Sequence, residues 1–212
     1  MSVFDGYMSQ LGHATSLVKG RDMTISADRE IDFWDGLTET DPAAQSRLEA
    51  YWENLGVSNW SAAGTPWSAA FVSYLLKGKG FKGDSAHWVY TRDIIAGDYP
   101  GWTAYNLPWN VYGPGIEVNV GDILVRKRPG SNTAGHGDVV YSVDTDEGYA
   151  YVIGGNLSDT VRTQRIELLN LEPGSRRMAD TEYQIILKRD AAEKKTPLLF
   201  LAAGVLVWIM SR

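Results

Sequence analysis

Apolar residues in the first part of the chain recur every three or four positions, the period of a helix with one buried face. The clearest case predicts a helix over 66–77. Four apolar residues follow Ser68 at the spacing of a single helical face: Phe71, Val72, Leu75 and Leu76. Thr65 is expected to cap this helix and Pro66 to occupy its first turn, which places Ser68 at the third helical position on the inward face.

The same period predicts three other helices, which cover 1–20, 27–34 and 42–56, and we expect a short helix over 85–96, where the period is weak. Asp41 is expected to cap the helix over 42–56, and Pro42 suits its first turn. Gly36 follows the helix over 27–34, at a position where glycine commonly ends a helix. The helix over 1–20 is amphipathic and is expected to pack on the domain or on a partner.

From Gly121 onward the apolar residues come in short runs bounded by turn-forming residues, which is typical of strands. Five strands are predicted, over 122–126, 138–143, 149–153, 161–168 and 182–187. The segment 97–117 is rich in aromatic residues, Gly and Pro without a regular period, and we expect a long loop there. Helices followed by a meander of strands predict an α+β fold with an antiparallel sheet of about five strands.

The C-terminal segment 196–211 (TPLLFLAAGVLVWIMS) contains no charged residue. A helix of this length spans about 24 Å, slightly less than a hydrocarbon core of about 30 Å. We expect 196–212 to form a membrane-anchoring helix, joined to the domain by a linker at 191–195. The alternative is a helix buried against a partner protein. The N-terminus lacks the basic and apolar regions of a signal peptide, and basic residues before the tail favour a domain on the cytoplasmic side.

Composition narrows the range of functions. Lys and Arg number 20 against 26 Asp and Glu, without a basic patch, which argues against nucleic acid as a partner. The chain has no cysteine, so disulfides, thiolate metal sites and a cysteine nucleophile are excluded. Its three histidines, His13, His87 and His136, are too scattered to indicate a zinc site, and we expect no metal or other cofactor.

Two segments carry candidate catalytic groups. Ser68 lies at a helix start, and His136, flanked by glycines, lies at a strand start, so the pair could supply a nucleophile and its base. A third polar group would orient the imidazole. Asn156, after the next strand, is the first candidate for it, Asp138 is the second and Ser158 the third. The alternative is a core serine and a structural histidine without a catalytic role.

Aromatic residues are abundant, with 8 Trp and 11 Tyr. Such side chains line grooves for glycans and peptides, and they also fill cores. The candidate substrate-binding residues are Trp67, His87, Trp88, Tyr90, Trp102, Tyr105 and Trp109. For His87, which precedes Trp88, a structural role is the stronger alternative.

Four segments together resemble the NlpC-type and CHAP-type peptidoglycan hydrolases, and more closely a bacterial family of unknown function within that group. They are PWSAAFVSYLLKGKGF at 66–81, GDILVRKRPG at 121–130, GHGDVVYSV at 135–143 and YVIGGNLSDTV at 151–161. The resemblance covers about 25–190 and implies a papain-like fold. It assigns the nucleophile to Ser68, where the superfamily has cysteine, the base to His136 and the orienting polar group to Asn156 or its neighbourhood. The superfamily's acidic orienting residue would align near Gly154.

The resemblance implies a membrane-anchored peptidoglycan hydrolase of the amidase or endopeptidase type. A phage lysis protein, or an enzyme of a membrane-containing virion, would reconcile cell-wall hydrolysis with a domain on the cytoplasmic side of a bacterial inner membrane. Serine is far less acidic than cysteine, so Ser68 would need general-base removal of its proton during attack. The alternatives are a cell-wall-binding domain that has lost catalysis, and a structural component with protein partners in a particle or membrane complex.

Overall fold

A computed structural model describes residues 22–106, 117–127, 134–169, 177–178 and 182–190. The predicted helix over 1–20, the linker at 191–195 and the apolar tail at 196–212 lie outside the described residues. Within those ranges the chain has an α+β fold with an antiparallel sheet, as the sequence predicts. In the same ranges, no helix combines the length and apolar character needed to cross a bilayer.

Four helices precede the sheet. Helix α1 covers 22–34, a 3-10 turn at Pro42–Ala44 leads into α2 (Gln45–Glu53), and α3 (Ser68–Leu75) and α4 (His87–Ala96) follow. Helix α4 ends at Gly97, whose φ of 79° is the left-handed conformation that glycine adopts without steric cost.

Of the two predicted helix caps, Asp41 is confirmed in position and Thr65 is wrong. Asp41 is the N-cap residue of the 3-10 turn and Pro42 follows it in the first turn, but the Asp41 side chain makes no capping hydrogen bond. The carboxylate of Asp41 accepts hydrogen bonds from the backbone N–H and the hydroxyl of Thr38, at 2.6 and 2.8 Å, so it faces backward and caps nothing ahead of it. The hydroxyl of Thr65 accepts the N–H of Ser61, at 3.0 Å. Helix α3 therefore begins two residues later than predicted, and Ser68 is its first residue rather than its third.

The sheet comprises β1 (Trp102–Asn106), β2 (Ile123–Lys127), β3 (Ala134–Asp144), β4 (Tyr149–Gly154), β5 (Arg162–Leu169), β6 (Arg177–Met178) and β7 (Ile185–Arg189). Its order is β1-β7-β2-β3-β4-β5, with the two-residue β6 added to β5, and every described pairing is antiparallel. The five predicted strands correspond to β2, β3, β4, β5 and β7.

Strand β1 contradicts the predicted loop over part of 97–117. It pairs with β7 from Trp102 opposite Arg189 to Asn106 opposite Ile185. Only its first residue, Trp102, is buried, and its last two are exposed. An edge strand with one buried side chain lacks the alternation of apolar and polar residues that indicates a strand, so the sequence pattern there predicts a loop.

Apolar clusters cover both faces of the sheet. On β2, Ile123 and Val125 pack with the helices, whereas Leu124 between them belongs to the second cluster. Strand β7 repeats this division, with Ile186 in the second cluster. A strand buried on both faces shows a continuous apolar run rather than strict alternation. Helices α3 and α4 both pack on β3, which brings their N-terminal ends toward the start of that strand.

Candidate active site

Ser68 is held at its position by the residue before it. The indole Nε1–H of Trp67 donates to Glu39 Oε2 at 2.7 Å, and its ring stacks on that of Trp34 with centroids 4.9 Å apart. Trp67 is fully buried, so α3 starts from a rigid residue in the core. Trp67 is therefore a structural residue of this site, not the groove-lining residue that the sequence analysis predicted.

His136 lies beside Ser68 and is held by a carboxylate. Ser68 Oγ is 3.0 Å from His136 Nδ1, and His136 Nε2 is 2.9 Å from Asp138 Oδ1. His136 and Asp138 are two residues apart on β3, so their side chains leave the same face of the strand. The three residues are hydrogen-bonded in the order that the nucleophile, the base and the orienting acid have in a serine triad.

Asp138 is fully buried and carries three partners. Besides His136, its Oδ2 accepts the Tyr183 hydroxyl at 2.6 Å and Arg126 Nη2 at 3.0 Å. Burial alone would raise the pKa of Asp138, but the hydrogen bond and charge of His136, with Tyr183 and Arg126, outweigh it and hold that pKa below its ordinary value. Asp138 is therefore a carboxylate that only accepts hydrogen bonds.

Glycine at position 154 provides the space for this carboxylate. A Cβ built on Gly154 would lie 1.9 Å from Asp138 Oδ1 and 3.0 Å from His136 Nε2. Gly155 likewise allows a close approach by α3, because a Cβ there would lie 2.6 Å from the Cβ of Phe71. Asp138 and α3 therefore both pack against the end of β4.

His87 is a second histidine on Ser68. Its Nε2 is 2.8 Å from Ser68 Oγ, and its Nδ1 is hydrogen-bonded to the Tyr90 hydroxyl. Both residues are buried. Burial, together with the negative charge of Asp138, raises the pKa of Tyr90 well above its ordinary value, so the phenol keeps its proton.

One assignment of protons gives every contact in this group a donor and an acceptor. Because Asp138 is ionised, His136 carries its proton on Nε2, and its bare Nδ1 accepts the proton of the Ser68 hydroxyl. Ser68 Oγ then accepts Nε2–H of His87, whose Nδ1 accepts from Tyr90. A chain of hydrogen bonds in one direction polarises each member, and here it directs the Ser68 proton toward His136.

The two leading candidates for the group that orients His136 have exchanged their order. Asn156, the first candidate for the orienting group, follows the end of β4 in a left-handed conformation with φ of 58° and makes no described hydrogen bond to His136. Asp138, the second candidate, fills that position because it shares a strand face with His136.

Trp102 is a core residue whose Nε1–H donates to the Gly80 carbonyl at 2.9 Å. Tyr90 is also buried, and it contacts His87 rather than lining a groove.

Trp88 and Tyr105 are exposed, by 44% and 40%, and remain available for contact with a ligand. Trp109 lies outside the described residues. No group of three or more His, Cys, Asp or Glu side chains in the described part of the chain is arranged to hold a metal ion.

Sequence reasoning missed Arg126 and Tyr183. Arg126 lies on β2, the neighbour of β3, and Tyr183 shortly precedes β7, which pairs with the other edge of β2. Only the strand order therefore brings these two residues near Asp138. Arg126 lies opposite His136 in the register of β2 and β3, and its guanidinium also stacks over the Tyr183 ring at 5.1 Å. The local sequence signal for Arg126 is weak, since a single Arg in a strand is ordinarily a solvated side chain.

Comparison with known proteins adds nothing to this geometry, because no family model, curated protein or solved structure matches the chain.

Proposed function

We propose that this chain is a serine hydrolase that cleaves acyl bonds, with Ser68 as nucleophile, His136 as general base and Asp138 as the acid that orients the base. One observation carries the proposal: the continuous hydrogen-bonded order from Ser68 Oγ through both ring nitrogens of His136 to Asp138. A buried carboxylate stabilises the imidazolium that forms during attack, which general-base catalysis by a neutral histidine requires.

The reaction would proceed through an acyl-enzyme. Ser68 Oγ bonds to the substrate carbonyl carbon while its proton passes to His136 Nδ1, and collapse of the tetrahedral intermediate expels the leaving group, which takes that proton. Water then attacks the ester by the same route and releases Ser68. His136 keeps 18% of its side chain exposed, whereas Asp138 has none, so substrate would approach from the His136 side.

The substrate class that we propose is peptidoglycan, cleaved at an amide bond by an amidase or endopeptidase activity. The support is the resemblance of four segments to the NlpC-type and CHAP-type hydrolases, and a papain-like arrangement is proposed on the same ground. The α+β order and the helix N-terminus facing a histidine strand are compatible with it. The exposed Trp88, next to His87 in the chain, is an aromatic surface of the kind that binds glycans.

Incubation of the full-length chain with purified peptidoglycan tests the proposal. Release of new amino groups without new reducing ends is expected, and Ser68→Ala should abolish it. Ser73→Ala is a matched control, because Ser73 is a buried serine of the same helix that hydrogen-bonds to Ala69 and Asp84. Ser68→Ala that releases products at the wild-type rate would refute the proposal. A wild type that binds peptidoglycan and releases nothing would indicate a binding domain.

We also propose that 196–212 anchors the domain to a bacterial inner membrane or to the membrane of a virion, on the evidence of the uncharged run 196–211. The charge distribution favours a domain on the cytoplasmic side. Protease treatment of sealed vesicles that contain the full chain tests this topology. Full protection of an inward-facing domain is expected, and cleavage in intact vesicles would contradict it.

A further inference from the structure

We propose that His87 is a second catalytic residue, whose Nε2–H donates to the oxyanion that forms when Ser68 attacks a carbonyl. The inference rests on the proposed hydrolase function and assigns a role to a group that this function does not yet use. Two histidines contact Ser68 Oγ, His136 through Nδ1 at 3.0 Å and His87 through Nε2 at 2.8 Å. Their ring centroids are 5.6 Å apart.

The two histidines differ in what lies behind them. Behind His136 is the Asp138 carboxylate, whose charge stabilises an imidazolium. Behind His87 is the Tyr90 hydroxyl, a neutral group that donates to Nδ1 and thereby fixes the proton of His87 on Nε2. His136 is therefore suited to receive a proton, and His87 is suited to donate a hydrogen bond without changing its charge.

Attack by Ser68 moves the place where a donor is needed. As Oγ bonds to the carbonyl carbon it becomes an ester-like, weaker acceptor, while negative charge develops on the carbonyl oxygen one bond further on. A donor that already lies 2.8 Å from Oγ is within reach of that oxygen. Ser68 is the first residue of α3, where backbone N–H groups lack an intrahelical partner, so its own N–H is a candidate for a second donor.

The pair of His87 and Tyr90 is held rigidly against β3. A Cβ built on Gly137 would lie 2.8 Å from His87 Nδ1 and 3.1 Å from the Tyr90 hydroxyl. Glycine between His136 and Asp138 thus allows the second histidine to approach the strand from its other face. Tyr90 is a positioning residue, and such preorganisation is what makes an oxyanion donor effective.

Hydrolysis of p-nitrophenyl acetate by the full-length chain, with variants at His87, tests the inference. His87→Leu removes the donor and is expected to lower kcat about 10²- to 10³-fold with little change in KM. His87→Gln keeps an N–H near the position of Nε2 and is expected to lower kcat by less than about 10-fold. The pH profile of kcat/KM should keep the same shape in both, because the base is His136.

Equal losses in kcat for the Leu and Gln variants would overturn the inference, since they would indicate a base or a merely structural residue. Wild-type kcat in His87→Leu would overturn it as well. Both results leave the proposed hydrolase intact as long as Ser68→Ala is inactive. A wild type no more active than Ser68→Ala, on this ester and on peptidoglycan, would overturn the function and the inference together.

Discussion

The substitution Asp138→Asn tests the role of the buried carboxylate most directly. An asparagine of the same shape presents one carbonyl oxygen and one amide NH₂. Two donors, the Tyr183 hydroxyl and Arg126 Nη2, converge on the Oδ2 position, at 2.6 and 3.0 Å. The carbonyl oxygen of the asparagine must therefore face them, and the NH₂ group must face His136.

That orientation would reverse the tautomer of His136. Its Nε2 would have to accept from the amide, so its proton would move to Nδ1, which faces Ser68. A protonated Nδ1 cannot take the serine proton, and the imidazolium would also lose its charge partner. We expect kcat to fall about 10⁴-fold, the effect of a wrong tautomer in a serine triad.

Two measurements check this reasoning independently. Ester hydrolysis gives the loss in kcat, and the ¹⁵N shifts of the His136 ring report which nitrogen carries the proton, whether or not the chain is an enzyme. Asp122→Asn is the matched control, because Asp122 is a buried carboxylate bonded to Lys188 and to the Asn119 N–H, away from the histidines. Unchanged ring shifts in Asp138→Asn, or a kcat within ten-fold of the wild type, would refute the assigned role.

Two further predictions concern the packing around the site and its buried charge. Gly154→Ala would place a methyl group 1.9 Å from Asp138 Oδ1, so we expect a loss of about 1–3 kcal/mol in the free energy of unfolding and a displaced carboxylate. Gly155→Ala, which crowds Phe71 instead, should destabilise similarly in urea unfolding but retain more kcat. Burial raises the pKa of Glu30 above its ordinary value of 4.5, against the opposing effects of Tyr51 and Arg47, so the folded state holds the Glu30 proton more tightly than the unfolded state. The stability of the wild type relative to Glu30→Gln should therefore fall as the pH rises from the ordinary value of 4.5 through the higher pKa of the folded state, and a constant difference would contradict this.

The parts of the site that the sequence predicted share a local signal. Ser68 begins an apolar helical face, and His136 and Asp138 follow the period of two of a strand, so these positions could be inferred without knowing the partner elements. The position of Asn156 after the next strand favours it over Asp138 as the orienting group, and the resemblance points to the same neighbourhood. The left-handed backbone at Asn156 could not be anticipated from a single asparagine.

The remaining contacts depend on tertiary arrangement. Tyr183 reaches Asp138 across 45 positions of sequence, and its approach requires the order β7-β2-β3, which no local pattern specifies. His87 meets Ser68 because α3 and α4 pack on the same strand, and the side-chain spacing of either helix alone does not determine that meeting.

Serine at position 68 and a carboxylate at position 138 belong together chemically. A cysteine of pKa about 8.5 readily becomes a thiolate beside a histidine, so a neutral amide suffices to orient the ring. A serine stays protonated until attack, and in the proposed mechanism the imidazolium then forms only in the transition state, where the charge of Asp138 would stabilise it.

This coupling predicts the outcome of a double-mutant cycle. Asp138→Asn should lower kcat by a smaller factor in a Ser68→Cys background than in the wild type, because the thiolate depends less on the base. The four kcat values from ester hydrolysis give the coupling directly, and each variant's thermal midpoint shows whether the fold is retained. Equal factors in both backgrounds would mean that Asp138 acts through structure alone, and would remove the chemical reason for finding a serine and a buried carboxylate in one site.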